Sequence, residues 1–276
     1  MVFVRQAAAL AATALALVCA SSAYAISNGV PDGDRHPGVG MFATGDARAA
    51  ECTGFYAGPR AGNPGEGIFL TAGHCAAALP EREVEGSDVW VTFDENVSID
   101  SETFETIATT WHQANAYALD PEFGAKRSDP HDWAVIVLAQ TPSVPALDLP
   151  TRGLLSELAA DGRVRPGSRF DNVGYGVIPA RTGPLSFELP TTRMLSTSRF
   201  QSLTPTWLYL LGNSALGDDI GGSCFGDSGG PKLIQGTNTV VALQNGGDAR
   251  CRAQGHSQRL DTAAARAFLG QYVVLP

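Results

Sequence analysis

The chain has 276 residues and a formal net charge of −9, because its 28 acidic side chains outnumber its 19 lysines and arginines. An acidic surface repels phosphate groups, which argues against nucleic acid and against an anionic membrane as partners. The length allows one large or two small domains with a proper core. The 31 glycines and 17 prolines, with few long helical patterns, favour a loop-rich all-β protein.

Residues 1–25 have the pattern of a secretory signal peptide. Arg5 is the only charge among them, residues 7–20 form an apolar run, and small side chains follow where a signal peptidase cuts. The apolar run is too short for a good membrane span. We therefore expect a secreted, extracellular protein cleaved after Ala25, with cleavage after Ala20 or Ala23 as alternatives.

Removal of Cys19 with this segment leaves an even number of cysteines, which in an exported chain indicates disulfide bonds. They are Cys52, Cys75, Cys224 and Cys251. Three pairings are possible, and the local one, which joins the first two and the last two, closes two loops of similar size. No pair of cysteines or histidines has the spacing of a zinc site, so we expect neither a metal nor another cofactor.

The first half of the chain contains two predicted strands, residues 67–71 and 89–93. The first leads into the turn Thr-Ala-Gly-His-Cys, which ends at Cys75 and holds His74 beside a probable disulfide. An acidic cluster follows the second strand and consists of Asp94, Glu95, Asp100, Glu102 and Glu105. Most such clusters are simply solvated, so a calcium site there is the less favoured interpretation.

A third predicted strand, residues 132–138, is apolar on both faces, as expected deep in a barrel or sandwich. Asp132 opens this strand, which places its carboxylate at the mouth of the core. Asp120 and Asp129 are rival candidates for a catalytic carboxylate, but neither begins a buried strand. Prolines at positions 142, 145 and 150 then indicate a linker.

The glycine-rich segment 221–231 reads Gly-Gly-Ser-Cys-Phe-Gly-Asp-Ser-Gly-Gly-Pro. Glycine lets the backbone turn sharply and approach a ligand closely, so Ser228 can face a substrate together with nearby backbone N–H groups. This is the geometry of a nucleophile beside an oxyanion hole. Strands are predicted at 233–234 and 239–243, and a helix at 263–272 begins at Asp261 or Thr262 as its cap.

The histidine turn, the aspartate-led strand and Gly-Asp-Ser-Gly-Gly-Pro together resemble the signatures of the chymotrypsin/trypsin family of serine proteases, in the same order along the chain. Trp133 stands where the family usually has an aliphatic residue. The resemblance implies an all-β fold of two six-stranded antiparallel barrels and a C-terminal helix. Residues 26–145 would form the first barrel, and residues 146–276 the second barrel and the helix.

The resemblance also implies a role for each matching residue. Ser228 would attack the scissile carbonyl, His74 would accept its proton, and Asp132 would orient the imidazole. The backbone N–H groups of Gly226 and Ser228 would form the oxyanion hole, and the disulfides would follow the local pairing. We expect a monomer whose partner is a protein or peptide substrate.

Matching positions place the primary specificity pocket at Gly222, Gly246 and Gly255. Family members that prefer arginine or lysine have an aspartate at the position of Gly222. An uncharged pocket would leave a buried arginine unpaired but would accept an apolar side chain, so we expect Phe, Tyr, Leu or Met before the cut. Gln244 and Asn245 replace the Ser-Trp pair that is usual in the family.

Cleavage after Ala25 would expose Ile-Ser-Asn-Gly, which is similar to the Ile-Val-Gly-Gly start of activated family members. The resemblance implies that the new α-ammonium of Ile26 pairs with the buried Asp227, because an uncompensated buried charge costs several kcal/mol. This pair would aim the N–H of Gly226 into the oxyanion hole.

Two other functions remain as alternatives. Gly-Asp-Ser-Gly-Gly also fits the nucleophile elbow of α/β-hydrolase esterases, with Asp248 and His256 following in that family's order. That elbow needs a strand before the serine and a helix after it, which this sequence does not predict. A protease-like binding protein without activity would share the fold, but such proteins usually lack a triad residue and this chain has all three.

Overall fold

The computed structural model describes residues 26–77, 79, 88–124, 129–179, 184 and 186–276. The signal peptide predicted at residues 1–25 lies outside these described residues. Most of the described chain is organised in β-strands joined by turns. Its helices are all short, and none of those in the described ranges has the length and apolar character needed to cross a membrane.

The strands of the first half are short at the edges of the fold and longer in its sheets. They are β1 (Val30–Pro31), β2 (Val39–Thr44), β3 (Ala49–Arg60), β4 (Asn63–Thr71), β5 (Val89–Thr92), β6 (Ser98–Ile99), β7 (Thr106–Ile107), β8 (His112–Leu119) and β9 (Ala134–Leu138).

The strands of the second half follow the same pattern. They are β10 (Arg169–Gly174), β11 (Ile178–Pro179), β12 (Phe187–Glu188), β13 (Met194–Leu203), β14 (Trp207–Leu211), β15 (Pro231–Ile234), β16 (Val240–Gly247) and β17 (Gln254–Arg259). The helices are α1 (Gly73–Ala76), α2 (Leu154–Ala160) and α3 (Ala263–Leu269), with a 3₁₀ turn at Ser214–Leu216.

Six strands of the first half close into an antiparallel barrel in the order β2-β3-β4-β9-β8-β5. Strand β9 pairs with β4 on one edge and β8 on the other, and it is buried along its whole length. Its unbroken apolar sequence fits this burial, since a strand covered on both faces has no solvent-facing positions to fill with polar residues. The core cluster to which it belongs includes Phe42, Phe55 and Phe69.

The second barrel is formed by β13-β10-β15-β16-β17-β14 and closes through the pairing of β13 with β14, while β1 adds to the outer edge of β13. Leu155, Phe170 and Leu208 belong to its core. The structure thus confirms two six-stranded antiparallel barrels with a helix at the C-terminus. The division between residues 145 and 146 stays a prediction.

The predicted elements differ from the observed ones at their ends. Strands β4 and β15 begin earlier than predicted, at Asn63 and Pro231, β5 ends at Thr92, and β16 covers Val240–Gly247. Strand β9 begins at Ala134 rather than Asp132, because the backbone and side chain of Asp132 bond outside the sheet. Helix α3 ends at Leu269 rather than residue 272. Thr262 caps it, since its side chain accepts a hydrogen bond from Ala265 N at 3.2 Å, whereas Asp261 accepts from the N–H of Leu155 in α2.

The seam between the barrels contains a buried arginine. Arg193, which directly precedes β13, is 1 % exposed. Its guanidinium donates to the Asp32 carboxylate at 2.9 Å, and to the carbonyls of Val39 and Phe93 from the first barrel at 3.3 and 3.0 Å. Asp32 is also buried and accepts from the His36 side chain. The seam is therefore held by a satisfied ionic network rather than by apolar contact alone.

Candidate active site

His74 lies in the single turn of α1, directly after the end of β4. The disulfide between Cys52 and Cys75 ties this turn to β3. The backbone N–H of His74 donates to Asp132 Oδ1 at 2.6 Å, and its Nδ1 lies 2.8 Å from Asp132 Oδ2. Its side chain is 40 % exposed while that of Asp132 is 9 % exposed. The imidazole is thus held from inside the protein and presents its other nitrogen outward.

Asp132 is the carboxylate that the structure brings to the histidine. Burial raises its pKa, but the hydrogen bonds and charge of His74 and a hydrogen bond from Asn245 outweigh this effect, and the pKa lies below its ordinary value. The carboxylate is therefore ionised at neutral pH and can stabilise a protonated imidazole.

The rival carboxylates have other partners. Asp120 accepts the indole N–H of Trp133 at 2.6 Å and lies 3.3 Å from the imidazole of His131. Asp129 closes a turn by accepting the N–H groups of Gly124 and His131. The unusual tryptophan after Asp132 is thereby explained, since its buried indole has a hydrogen-bond acceptor.

Asn245 is a site residue that the sequence did not identify. Its Nδ2 donates to Asp132 Oδ2 at 2.8 Å and to the Asp132 carbonyl at 3.1 Å. Its Oδ1 accepts the N–H of Gln258 at 2.7 Å, which fixes the amide within the second barrel. The first barrel thus supplies the histidine and the aspartate, and the second barrel holds the aspartate in place.

The Ser228 turn is wedged between the two barrels. Gly229 N donates to Gln244 O at 2.7 Å on strand β16. A Cβ on Gly229 would lie 2.5 Å from Thr53 O and 2.6 Å from Ala72 N, and its φ is +79°, so only glycine fits there. Gly229 thus packs against the segment that leads into the His74 turn. The role of Ser228 as the third catalytic residue stays a prediction.

The predicted oxyanion hole has free donors. The N–H groups of Gly226 and Ser228 donate to no acceptor in the described part of the chain. The Gly226 carbonyl is held by Thr53, whose N–H and hydroxyl donate to it at 2.9 and 2.8 Å. Two unpaired backbone donors beside a serine can stabilise a developing oxyanion.

Asp227 and Ile26 are both buried near this turn. The Asp227 carboxylate accepts the N–H groups of Gly176 at 2.8 Å and Cys224 at 2.7 Å. Burial raises its pKa, and these bonds and the charge of Lys232 oppose the rise. Ile26 packs with Met194. The ammonium pair between Ile26 and Asp227 stays a prediction.

The neighbouring residue Ser27 joins the N-terminal segment to the predicted pocket. Its backbone pairs with Gly222 in both directions, at 2.8 and 3.1 Å. Gly222 and Gly255 line one cavity, as their assignment to the specificity pocket requires. Gly246 lies instead against the imidazole of His256, whose Cε1 is 2.6 Å from the position a Cβ would take.

The disulfides follow the local pairing, Cys52 with Cys75 and Cys224 with Cys251. One group of potential metal ligands occurs among the described residues, namely Cys52, His74 and Cys75. Its two sulfurs are bonded to each other and cannot act as thiolates. In the acidic cluster, the Asp94 and Asp100 carboxylates accept backbone N–H groups of turns, which gives them a structural role.

Comparison with known proteins finds one matching family. A family model described as Trypsin matches residues 46–265, a range that includes His74, Asp132 and Ser228. A search of the curated proteins found no match.

Proposed function

The chain belongs to the trypsin family, and from this premise we propose that it is a secreted serine endopeptidase that cleaves peptide bonds through an acyl-enzyme. The observation that carries the proposal is the contact of His74 with Asp132, which Asn245 holds in place. The turn of Ser228 adds two N–H groups that have no acceptor among the described residues. Two disulfides support export, because such bonds persist in oxidising compartments.

In the proposed mechanism, Ser228 Oγ attacks the scissile carbonyl and His74 Nε2 takes the hydroxyl proton. The oxyanion that forms is stabilised by the N–H groups of Gly226 and Ser228. Asp132 keeps the proton of the neutral imidazole on Nδ1 and stabilises the imidazolium. His74 then gives its proton to the leaving amine, and water repeats the sequence on the acyl-enzyme.

The fold and the hydrogen bonds of Asp248 bear on the two alternative functions, an esterase and an inactive binding protein. An α/β-hydrolase esterase is excluded by the two β-barrels, and the Asp248 carboxylate accepts backbone N–H groups of its own loop instead of facing His256. An inactive binding protein would share the fold, so it is separated by experiment. The preference for an apolar residue before the scissile bond, expected from the sequence, stays a prediction.

Labelling with a fluorophosphonate tests the nucleophile. The wild-type chain beginning at Ile26 should be labelled on Ser228 and should digest casein, whereas Ser228→Ala should do neither. Because a small side chain on a turn carries little packing energy, the stability of Ser228→Ala should change by less than about 1 kcal/mol.

Ser101→Ala, in an exposed turn, is the matched control and should keep both labelling and digestion. A correctly folded wild-type chain that neither reacts nor digests casein would identify an inactive binding protein. Casein digestion by Ser228→Ala at the wild-type rate would show that another residue is the nucleophile.

A further inference from the structure

Lys232 is a buried lysine in β15 that the mechanism does not use. It is 2 % exposed. Its Nζ donates to Asn172 Oδ1 at 2.7 Å and to Ser223 Oγ. All three residues line the cavity that Gly222 and Gly255 also line. The ammonium is therefore a buried group in the lining of the predicted specificity pocket.

The ammonium has capacity for one more acceptor. It carries three N–H donors, and two of them bond to neutral oxygens in the described part of the chain. The negative charge of Asp227 also attracts the ammonium, but each Asp227 oxygen already accepts a backbone N–H. Burial lowers the pKa of Lys232 to about 7, although attraction to Asp227 opposes the change. A carboxylate of the substrate would favour the charged form.

The other polar side chains of the cavity are occupied. Gln244 donates to Gly246 O and accepts from the Ser257 hydroxyl. The Asp248 carboxylate accepts N–H groups from its own loop, including those of Ala253 at 2.8 Å and Gln254 at 3.1 Å. Gly222 and Gly255 contribute no side chain. Lys232 is thus the cation that a substrate side chain entering this cavity would meet.

On the basis of the proposed peptidase function, we propose that Lys232 makes this pocket selective for an acidic residue immediately before the scissile bond. We expect glutamate to be preferred over aspartate, because Lys232 is buried and the longer side chain reaches further. The apolar preference assumed an uncharged pocket. An apolar ring would leave a buried ammonium donor without an acceptor, which is costly.

The first test is a set of peptides that differ only in the residue before the cut, with Glu, Asp, Gln, Phe or Arg at that position. A site built around a polar partner rejects analogues that lack it by large factors. We expect wild-type kcat/KM for Glu to exceed that for Gln and for Phe by about 100-fold or more. Equal or faster cleavage after Phe would overturn the proposal.

The second test removes the charge. Lys232→Met keeps the length of the side chain and should lower kcat/KM for Glu by about 100-fold, while Phe becomes the better substrate. Arg199→Met removes a cation of the same barrel outside the pocket and should keep the wild-type ratio. A Lys232→Met enzyme that can react with the fluorophosphonate, and therefore has an active nucleophile, but still prefers Glu would refute the role of Lys232.

Fluorophosphonate labelling separates the two proposals, because it reports on Ser228 whatever the pocket accepts. If the wild-type enzyme can react with the fluorophosphonate but prefers Phe, the proposed peptidase function stands and the proposed acidic selectivity is wrong. If the wild-type chain never reacts, the proposed peptidase function is wrong.

Should Lys232→Met fail to fold, Ser223→Ala gives the answer, since it removes one partner of the ammonium. It should raise the Glu-to-Phe ratio by about tenfold, because the ammonium then has two donors for the substrate carboxylate, and an unchanged or lower ratio would count against the proposal.

Discussion

Replacement of Asn245 by alanine tests whether the second barrel positions the catalytic aspartate of the first. The change removes the Nδ2 donor that lies 2.8 Å from Asp132 Oδ2. Asp132 keeps both contacts with His74, so the carboxylate stays near the imidazole but loses the bond that fixes its orientation. Asn245 is remote from the reacting atoms in this mechanism and acts through Asp132.

The expected loss of activity follows from the charge of the hydrogen-bond acceptor, the Asp132 carboxylate. A hydrogen bond to a charged group contributes about 1.5–3 kcal/mol, and each 1.36 kcal/mol of transition-state stabilisation is a tenfold change in rate. If the whole bond acts on the transition state, kcat/KM should fall by about 10- to 150-fold. Loss of the acceptor for Gln258 N should also cost about 1–3 kcal/mol of stability.

The assay compares kcat and KM of Asn245→Ala with wild type, well below the melting temperature of the variant. We expect the loss in kcat with KM little changed, because the interaction serves the transition state. Asn245→Asp should be slower still, since a second carboxylate beside Asp132 raises the pKa of both. The control Asn115→Ala, which loses only an exposed bond to Glu66, should be unaffected. A kcat/KM within twofold of wild type for Asn245→Ala would refute the positioning role.

Residues added before Ile26 should abolish most activity if its ammonium pairs with Asp227, and trimming them should restore it; equal activity before and after trimming would exclude the pair. Asp227→Asn should have the same effect in the trimmed enzyme, measured as the rate of fluorophosphonate labelling, and a wild-type rate would contradict it. Arg193→Met should cost about 3–5 kcal/mol in urea unfolding, because it removes the guanidinium from the buried Asp32 carboxylate and leaves His36 as its remaining ionisable partner among the described residues. Arg169→Met, in a more exposed ion pair, should cost about 0–1 kcal/mol, and equal losses would show that the seam network is not stabilising.

Much of the fold and site could be predicted because the signals are local. The turn that carries His74 and the turn that carries Ser228 each need a short run of small residues, and such a run is visible in sequence. The disulfides close short loops of separation 23 and 27. Strand β9 was visible because a strand buried on both faces has no polar positions.

The contacts that were missed join residues far apart in the chain. Asn245 meets Asp132 across 113 positions, and an asparagine near the end of a strand carries no local sign of that contact. Lys232 was missed for a related reason. A single lysine in a short strand is usually exposed, whereas here β15 lies between β10 and β16 and the side chain is buried. The apolar pocket was inferred from its glycines without this residue.

The disulfides have a consequence for the order in which the protein matures. Cys52–Cys75 closes within the first barrel and Cys224–Cys251 within the second, so neither bond crosses the seam. Domains generally fold in the order of synthesis. The first half of a nascent chain can therefore fold and oxidise with its base and carboxylate in place but without a nucleophile. In the proposed mechanism the site is complete only when the last strands dock and Asn245 reaches Asp132, so peptidase activity would appear late in folding.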